Sequence, residues 1–268
     1  MTIKLYWCRG KGRSDASKQN FGDYLSPLLV EMLAHKPVVY APVHKAQMIA
    51  VGSIMNREKK AKGWLLPHEL HVWGAGTDAP GLSFSKRHHY HAVRGVHTAA
   101  QIEKAPALSP ALGDPGILVS HWWGSRAHPD KRYRIGLIPH YVDQENPRVS
   151  RAATLPGVLL INVFWPVEEV LAAIQSCDFV LSSSMHGLIV ADAFGVPNRR
   201  VTLSQGLISD YKFTDYYSAY GLAEPPPVTA AELISVCSDD PAWLESEYMR
   251  PGLQELQAGL INAFPSDI

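Results

Sequence analysis

Short apolar runs alternate with amphipathic stretches along the whole chain, a pattern that predicts parallel strands joined by helices. Ile3-Lys4-Leu5-Tyr6-Trp7 reads as a first strand. Leu25, Leu28, Leu29, Met32 and Leu33 recur at helical spacing and line one face of a first helix. Further short strands are expected at Val38–Ala41, Gln47–Val51, Leu70–Trp73 and His91–Val93. Turn formers then crowd Leu108–Leu118, where Ser109-Pro110 and Gly113-Asp114-Pro115-Gly116 suggest a junction.

A second alternation starts at Tyr133. Strands are predicted at Arg134–Ile138, Val158–Val163, Asp178–Leu181 and Arg199–Leu203, and helices at Val167–Ser176 and His186–Phe194. Gly195 closes the latter helix and Pro197 stops it. Trp243–Ala263 reads as a long last helix with a candidate break at Pro251. The expected organisation is α/β, with one unit over residues 1–112 and a second over 113–268. The last helix is expected to pack back on the first unit. In such sheets ligands sit beyond the carboxyl ends of the strands, where loops feed helix N-termini.

Charge changes the picture by exclusion. The 268 residues carry 25 Lys and Arg against 25 Asp and Glu. A protein that coats nucleic acid needs a basic excess, so no nucleic acid partner is expected. The three cysteines, Cys8, Cys177 and Cys237, fit a reducing cytoplasm better than a disulfide framework. No run of about 18 apolar residues is present to span a bilayer. The basic stretch Arg57–Lys62 leaves peripheral association with the inner face of the cytoplasmic membrane open.

Several motif matches fail on context. Gly74-Ala75-Gly76-Thr77-Asp78-Ala79 fits a dinucleotide fingerprint, but Pro80-Gly81 follows at once and leaves no helix to receive a pyrophosphate. In His68-Glu69-Leu70-His71 the histidines lie three apart, whereas a zinc-protease helix needs four. His89 and His91 share a strand face, yet a polar surface strand explains them without a metal. No metal site is expected.

Two segments carry chemistry. In the first, a strand runs through Ser182, Ser183 and Ser184 into His186 and Gly187 at the start of an apolar helix. Helix N–H groups and serine hydroxyls make an anion cradle, and His186 is placed to bind that anion or to move a proton. The alternative is structural: a serine caps the helix, Gly187 permits close packing and His186 faces solvent. In the second, Asn20-Phe21-Gly22-Asp23 occupies the matching position in the first unit. Asp23 is either an N-cap or a free carboxylate able to accept a hydroxyl proton. A helix starting at Ser26-Pro27 would leave it free. Arg94, His140 and Lys212 follow strands or sit in loops. Trp122, Trp123, Tyr216 and Tyr217 suit either sugar stacking or core packing.

Taken in order, these motifs resemble the polysaccharide pyruvyl transferases. The likeness runs through Asn20-Phe21-Gly22-Asp23, Val72-Trp73-Gly74-Ala75-Gly76, Val93-Arg94-Gly95, Gly113-Asp114-Pro115-Gly116, Pro139-His140-Tyr141, Ser182–Gly187 and Lys212–Tyr217. It implies two Rossmann-like domains facing across a cleft, similar to GT-B glycosyltransferases. The first domain would serve the acceptor and the second phosphoenolpyruvate. It also implies transfer to two hydroxyls of a sugar in an exopolysaccharide or its lipid-linked repeat unit, giving a pyruvate ketal. Phosphoenolpyruvate is then a donor substrate, and no cofactor is required. By the same resemblance His186, Asp23 and Arg94 are catalytic, and Asn20, Gly22, His140, Ser182, Ser183, Ser184, Gly187 and Lys212 bind substrate. Loss of His186 or Arg94 is expected to abolish turnover without unfolding the chain. Many relatives have an arginine where this chain has Ser184, so another cation, Lys212 or His140, must clamp the donor. A nucleotide-sugar glycosyltransferase and a non-catalytic glycan- or anion-binding module are the alternatives.

Overall fold

The computed structural model describes residues 2–10, 19–61, 68–103, 109–124, 126, 129–204, 206–239, 245–266 and 268. The chain forms two parallel sheets. The first contains β1 (Ile3–Tyr6), β2 (Val38–Tyr40), β3 (Met48–Ile49), β4 (His71–Trp73), β5 (His89–Val93) and β6 (Ala111–Leu112). Their order is β2-β1-β3-β4-β5-β6. The second contains β7 (Tyr133–Ile138), β8 (Val158–Leu160), β9 (Cys177–Ser182), β10 (Asn198–Thr202) and β11 (Val228–Thr229), in the order β11-β10-β9-β7-β8.

Both orders reverse direction at one point, between β1 and β3 in the first sheet and between β7 and β9 in the second. A crevice opens at the carboxyl ends of the strands wherever the order reverses. The sheet topology alone therefore selects the segments after Tyr6, Ile49, Ile138 and Ser182 as ligand positions.

The two sheets are not held apart. One cluster of buried apolar side chains joins Leu5, Phe21, Leu25 and Leu29 to Val180, Leu188 and Ile189. Gly116 illustrates how tight this junction is, since a Cβ there would lie 2.8 Å from Ile189 Cγ2. The residues read as a junction supply β6 and a short 3-10 turn, Pro115–Leu118, which is buried throughout. Asp114 caps that turn through Gly116 N at 2.9 Å.

The first helix, Phe21–Ala34, starts earlier than Ser26-Pro27 suggested. Asn20 is its N-cap, accepting from Gly22 N at 3.0 Å, and Pro27 lies inside it. Asp23 is therefore not the cap. It sits in the first turn, where a carboxylate is favoured by the helix dipole. The expected long C-terminal helix is shorter. After a turn at Pro251-Gly252, with Gly252 at φ +75°, a helix runs only over Leu253–Asn262, and Trp243 lies outside the described residues. Trp73 Nε1 donates to Leu260 O at 2.9 Å, which ties this helix to the first sheet. Among the described residues no helix is long and apolar enough to cross a membrane, and no group of His, Cys, Asp or Glu is arranged to hold a metal ion.

Candidate active site

A cavity of about 300 Å³ lies where the two reversal points meet. Cys8, Gly52 and Ser53 reach it from the ends of β1 and β3, with Asn20 and Asp23 from the first helix. His140, Ser184 and His186 reach it from the ends of β7 and β9. Lys212, on the Tyr211–Ser218 helix, and Arg57, Asp78 and Tyr141 complete the polar wall.

His186 is almost fully buried at the start of the Met185–Ala193 helix. Its ring is packed over Gly22, where a Cβ would fall 2.3 Å from His186 Nδ1. Among the described residues, buried Nε2 has no hydrogen-bond partner, and neither has Asp114 Oδ2, 4.0 Å away. Burial, then the cations Lys212 and Arg94, push the imidazole down to about 3. His186 is therefore neutral at neutral pH, which suits it to accept a proton rather than to bind an anion as a cation. Burial pushes Asp114 up to about 6.

Asp23 differs from an ordinary carboxylate. Burial pushes it up to about 7, opposed by Lys212 and by a hydrogen bond from the Cys8 thiol. A carboxyl raised toward neutrality in this way is suited to general acid or base work. Lys212 is pushed down to about 8, first by burial and then by Arg94 and Arg200. His140 falls to about 4, mainly through burial and then through Lys212.

Not every predicted residue reaches the cavity. Arg94 has no exposed surface; Nε donates to Asp215 Oδ2 at 2.9 Å, NH1 to Ser53 Oγ at 2.7 Å, and NH2 to Thr77 O. It joins the end of β5 to the Tyr211–Ser218 helix and is no free anion ligand. Ser182 Oγ is taken by Ile138 O and by Ser184 N and O, at 2.8–3.0 Å. Ser183 Oγ donates to Asp143 at 2.6 Å and accepts from His140 N at 2.9 Å. Those two hydroxyls set the loop on which His140 stands. Gly187 is needed for packing, because a Cβ would meet Ser182 Oγ at 2.4 Å. Among the three serines only Ser184 lines the cavity, and its side chain makes no capping bond. Tyr216 and Tyr217 are buried around Asp192 and Arg250 and present no face to a sugar.

Sequence reasoning missed Asp114, Cys8, Ser53 and Arg57. Asp114 read as a turn residue, and Arg57 as part of a surface basic run. Cys8 and Ser53 carry a usable signal, since each follows a strand that borders the reversal point.

The Polysaccharide pyruvyl transferase family profile matches residues 82–204, a segment that includes Arg94, Asp114, His140 and His186. The chain is similar to that family over this segment. It is 29% identical over 213 residues to the succinoglycan biosynthesis protein ExoV of Rhizobium meliloti (strain 1021), covering 77% of this chain and 63% of that protein. It is 33% identical over 138 residues to an uncharacterized protein of Acanthamoeba polyphaga mimivirus, covering 49% of this chain and 48% of the relative. The chain thus spans less than two thirds of the length of these relatives. No solved structure matches it.

Two expected results follow from the pocket's construction. Gly22→Ala places a methyl inside the His186 ring. The change would gain roughly 1 kcal/mol from helix propensity elsewhere, but here it should lower both the melting temperature and ligand binding. An unchanged melting temperature with normal binding would refute the close approach. The second concerns pH. Asp23 holds its proton up to about 7 when folded and to about 4 when unfolded. Its stabilising contribution is therefore complete below about pH 4 and is lost as the pH rises through 7. His186 and His140, with depressed values, act in the opposite sense as pH falls. Subtracting wild type from Asp23→Asn cancels them. The melting-temperature difference, variant minus wild type, should grow from pH 4 to pH 7, and a flat difference would contradict the assignment.

Proposed function

We propose that the protein moves the enolpyruvyl group of phosphoenolpyruvate onto two hydroxyls of a sugar residue, in an exopolysaccharide or its lipid-linked repeat unit. The products are a cyclic pyruvate ketal and inorganic phosphate. The observation that carries this reading is the double reversal-point cavity, in which Lys212, Arg57 and His140 face Asp23 and His186. The donor carries a carboxylate and a phosphate monoester, roughly three negative charges. Lys212 and Arg57 supply charge, and the Ser184–His186 turn supplies helix N–H groups. Arg57, which comes from the first half of the chain, takes the place of the family arginine absent at Ser184.

Protonated Asp23 delivers its proton to the donor methylene, making a methyl group and an electrophilic carbon. One sugar hydroxyl bonds to that carbon and gives its proton to neutral His186. The C–O bond to phosphate breaks, the second hydroxyl closes the ring, and its proton leaves with the phosphate. Entry of the trianionic donor raises the proton affinity of both groups, which keeps Asp23 protonated and makes His186 a better base. Asp114 is a positioning residue: its Oδ2, 4.0 Å from His186 Nε2, favours the proton on that nitrogen and so leaves Nδ1 as the proton acceptor. Asp23, read from the sequence as able to accept a hydroxyl proton, thus acts in this scheme as the acid. The reaction is assigned to the cytoplasm, at the inner membrane face when the acceptor is lipid-linked.

The test is phosphate release from phosphoenolpyruvate with a panel of glycans, with the product mass read in parallel. Release that depends on the glycan, with a ketal product, is expected. Folded protein that releases none across the panel refutes the proposal. A glycosyltransferase would instead be stabilised against heat by a nucleoside diphosphate and not by phosphoenolpyruvate.

A further inference from the structure

The cavity does not end at Cys8. Cys8 and Arg57 also line a second cavity of about 520 Å³, bounded further by Tyr6, Trp7, Arg9 and Tyr40. Two guanidinium groups face this space, and among the described residues no carboxylate lines it. The Arg9 guanidinium lies 4.3 Å from the centre of the Tyr40 ring, and its buried Nε has no hydrogen-bond partner among the described residues. Trp7 meets Tyr40 edge-on at 5.1 Å, with its indole N–H held by Gln19 Oε1 at 3.0 Å. The aromatic wall is thus fixed before any ligand arrives. Tyr6 marks the border with the first cavity, since Arg57, Cys8 and Asp23 all act on its hydroxyl.

We propose that this second cavity is the saccharide subsite and that it takes an acceptor bearing an anionic group, a carboxylate or a phosphate, beside the modified sugar. The acceptor role rests on the reaction proposed above. Amphipathic aromatic rings pack against the C–H surface of a sugar while its hydroxyls stay wet. A planar guanidinium with an unused N–H matches a carboxylate or phosphate oxygen. Two positive charges, with no carboxylate among the described lining residues, favour an anion over a neutral ligand. The shared wall at Cys8 brings a hydroxyl of the bound sugar to the side of the pocket that holds Asp23.

Three probes separate the alternatives in binding titrations followed by NMR: lactose, the glucuronate-containing disaccharide cellobiouronic acid, and glucose 1-phosphate. The two anions are expected to bind at least about tenfold tighter than lactose. The stronger of the two identifies the anionic group. Arg9→Ala should erase that preference, and Tyr40→Ala should weaken all three ligands by about tenfold. Arg9→Gln serves in place of Arg9→Ala should the latter not fold. Equal affinity for lactose and the anions, no binding of any probe, or binding unaffected by both substitutions overturns the assignment. Phosphoenolpyruvate is titrated into the same samples. If it binds while the saccharides ignore Arg9 and Tyr40, the subsite fails and the reaction stands. If the saccharides respond as expected but phosphoenolpyruvate does not bind, the reaction fails and the subsite stands.

Discussion

Replacing Arg94 with alanine is expected to cost about 3–5 kcal/mol of folding stability, because it leaves the Asp215 carboxylate buried and without its counter-ion. Both side chains are fully buried, and their 2.9 Å contact joins the two halves of the chain. Asp215 also accepts from Thr98 N and Oγ1 at 2.8 and 2.7 Å, so it cannot turn toward water without breaking further bonds. The packing gives no slack. A Cβ on Gly76 would lie 2.3 Å from Arg94 Cζ, and one on Gly95 would lie 1.8 Å from Asp215 O. The melting temperature should fall by about 10 °C. Urea denaturation checks the free energy, and a loss below 1 kcal/mol would contradict the role. A donor anchor would instead appear as weaker phosphoenolpyruvate binding by the folded fraction. For Arg94→Ala, studied below its melting temperature, that affinity is expected to stay within about twofold of wild type.

Arg94 also shows what the sequence could and could not convey. Its position after a strand was legible, because apolar alternation locates β5 and the loop beyond it. Its partner lies 121 residues away, and nothing local in Val93-Arg94-Gly95 distinguishes a guanidinium aimed at a ligand from one aimed at Asp215. The same limit applies to Ser182 and Ser183, whose partners on β7 and its following loop become neighbours only through sheet pairing. Elements with strong periodicity, such as the first helix and β9, were readable from local pattern. The start of the first helix was misplaced because Pro27 reads as a first-turn residue, whereas the Asn20 cap decides the matter. His186, Asp23 and Lys212 were found because they follow the rule that ligands gather at strand ends and helix starts. Arg57 and Asp114 were hidden by tertiary folding, one within a basic run and the other within a turn motif.

Changing His186 should produce the opposite result to changing Arg94. His186→Ala removes a buried imidazole whose Nε2 has no partner among the described residues, so stability should stay close to wild type. Turnover should fall by about 10²–10⁴-fold, the usual contribution of a positioned general base. Asp114→Asn probes the same imidazole from behind. The amide presents N–H₂ to Nε2, favours the tautomer protonated on Nδ1, and so removes the base while leaving the cavity's shape intact. A comparable fall in kcat is expected, with the KM for phosphoenolpyruvate nearly unchanged. Asp114→Glu, which restores the carboxylate but not the fit beside Gly116, should recover only part of the loss. The pH profile separates positioning from mere support of the fold. Wild-type activity should decline on the alkaline side as Asp23 loses its proton near 7, and that limb should persist in Asp114→Asn because Asp23 is untouched. A uniform loss of folded protein would lower the whole profile and kcat alike, with a parallel drop in melting temperature. Normal turnover in His186→Ala would remove the imidazole from the chemistry and leave Asp23 to carry both proton transfers.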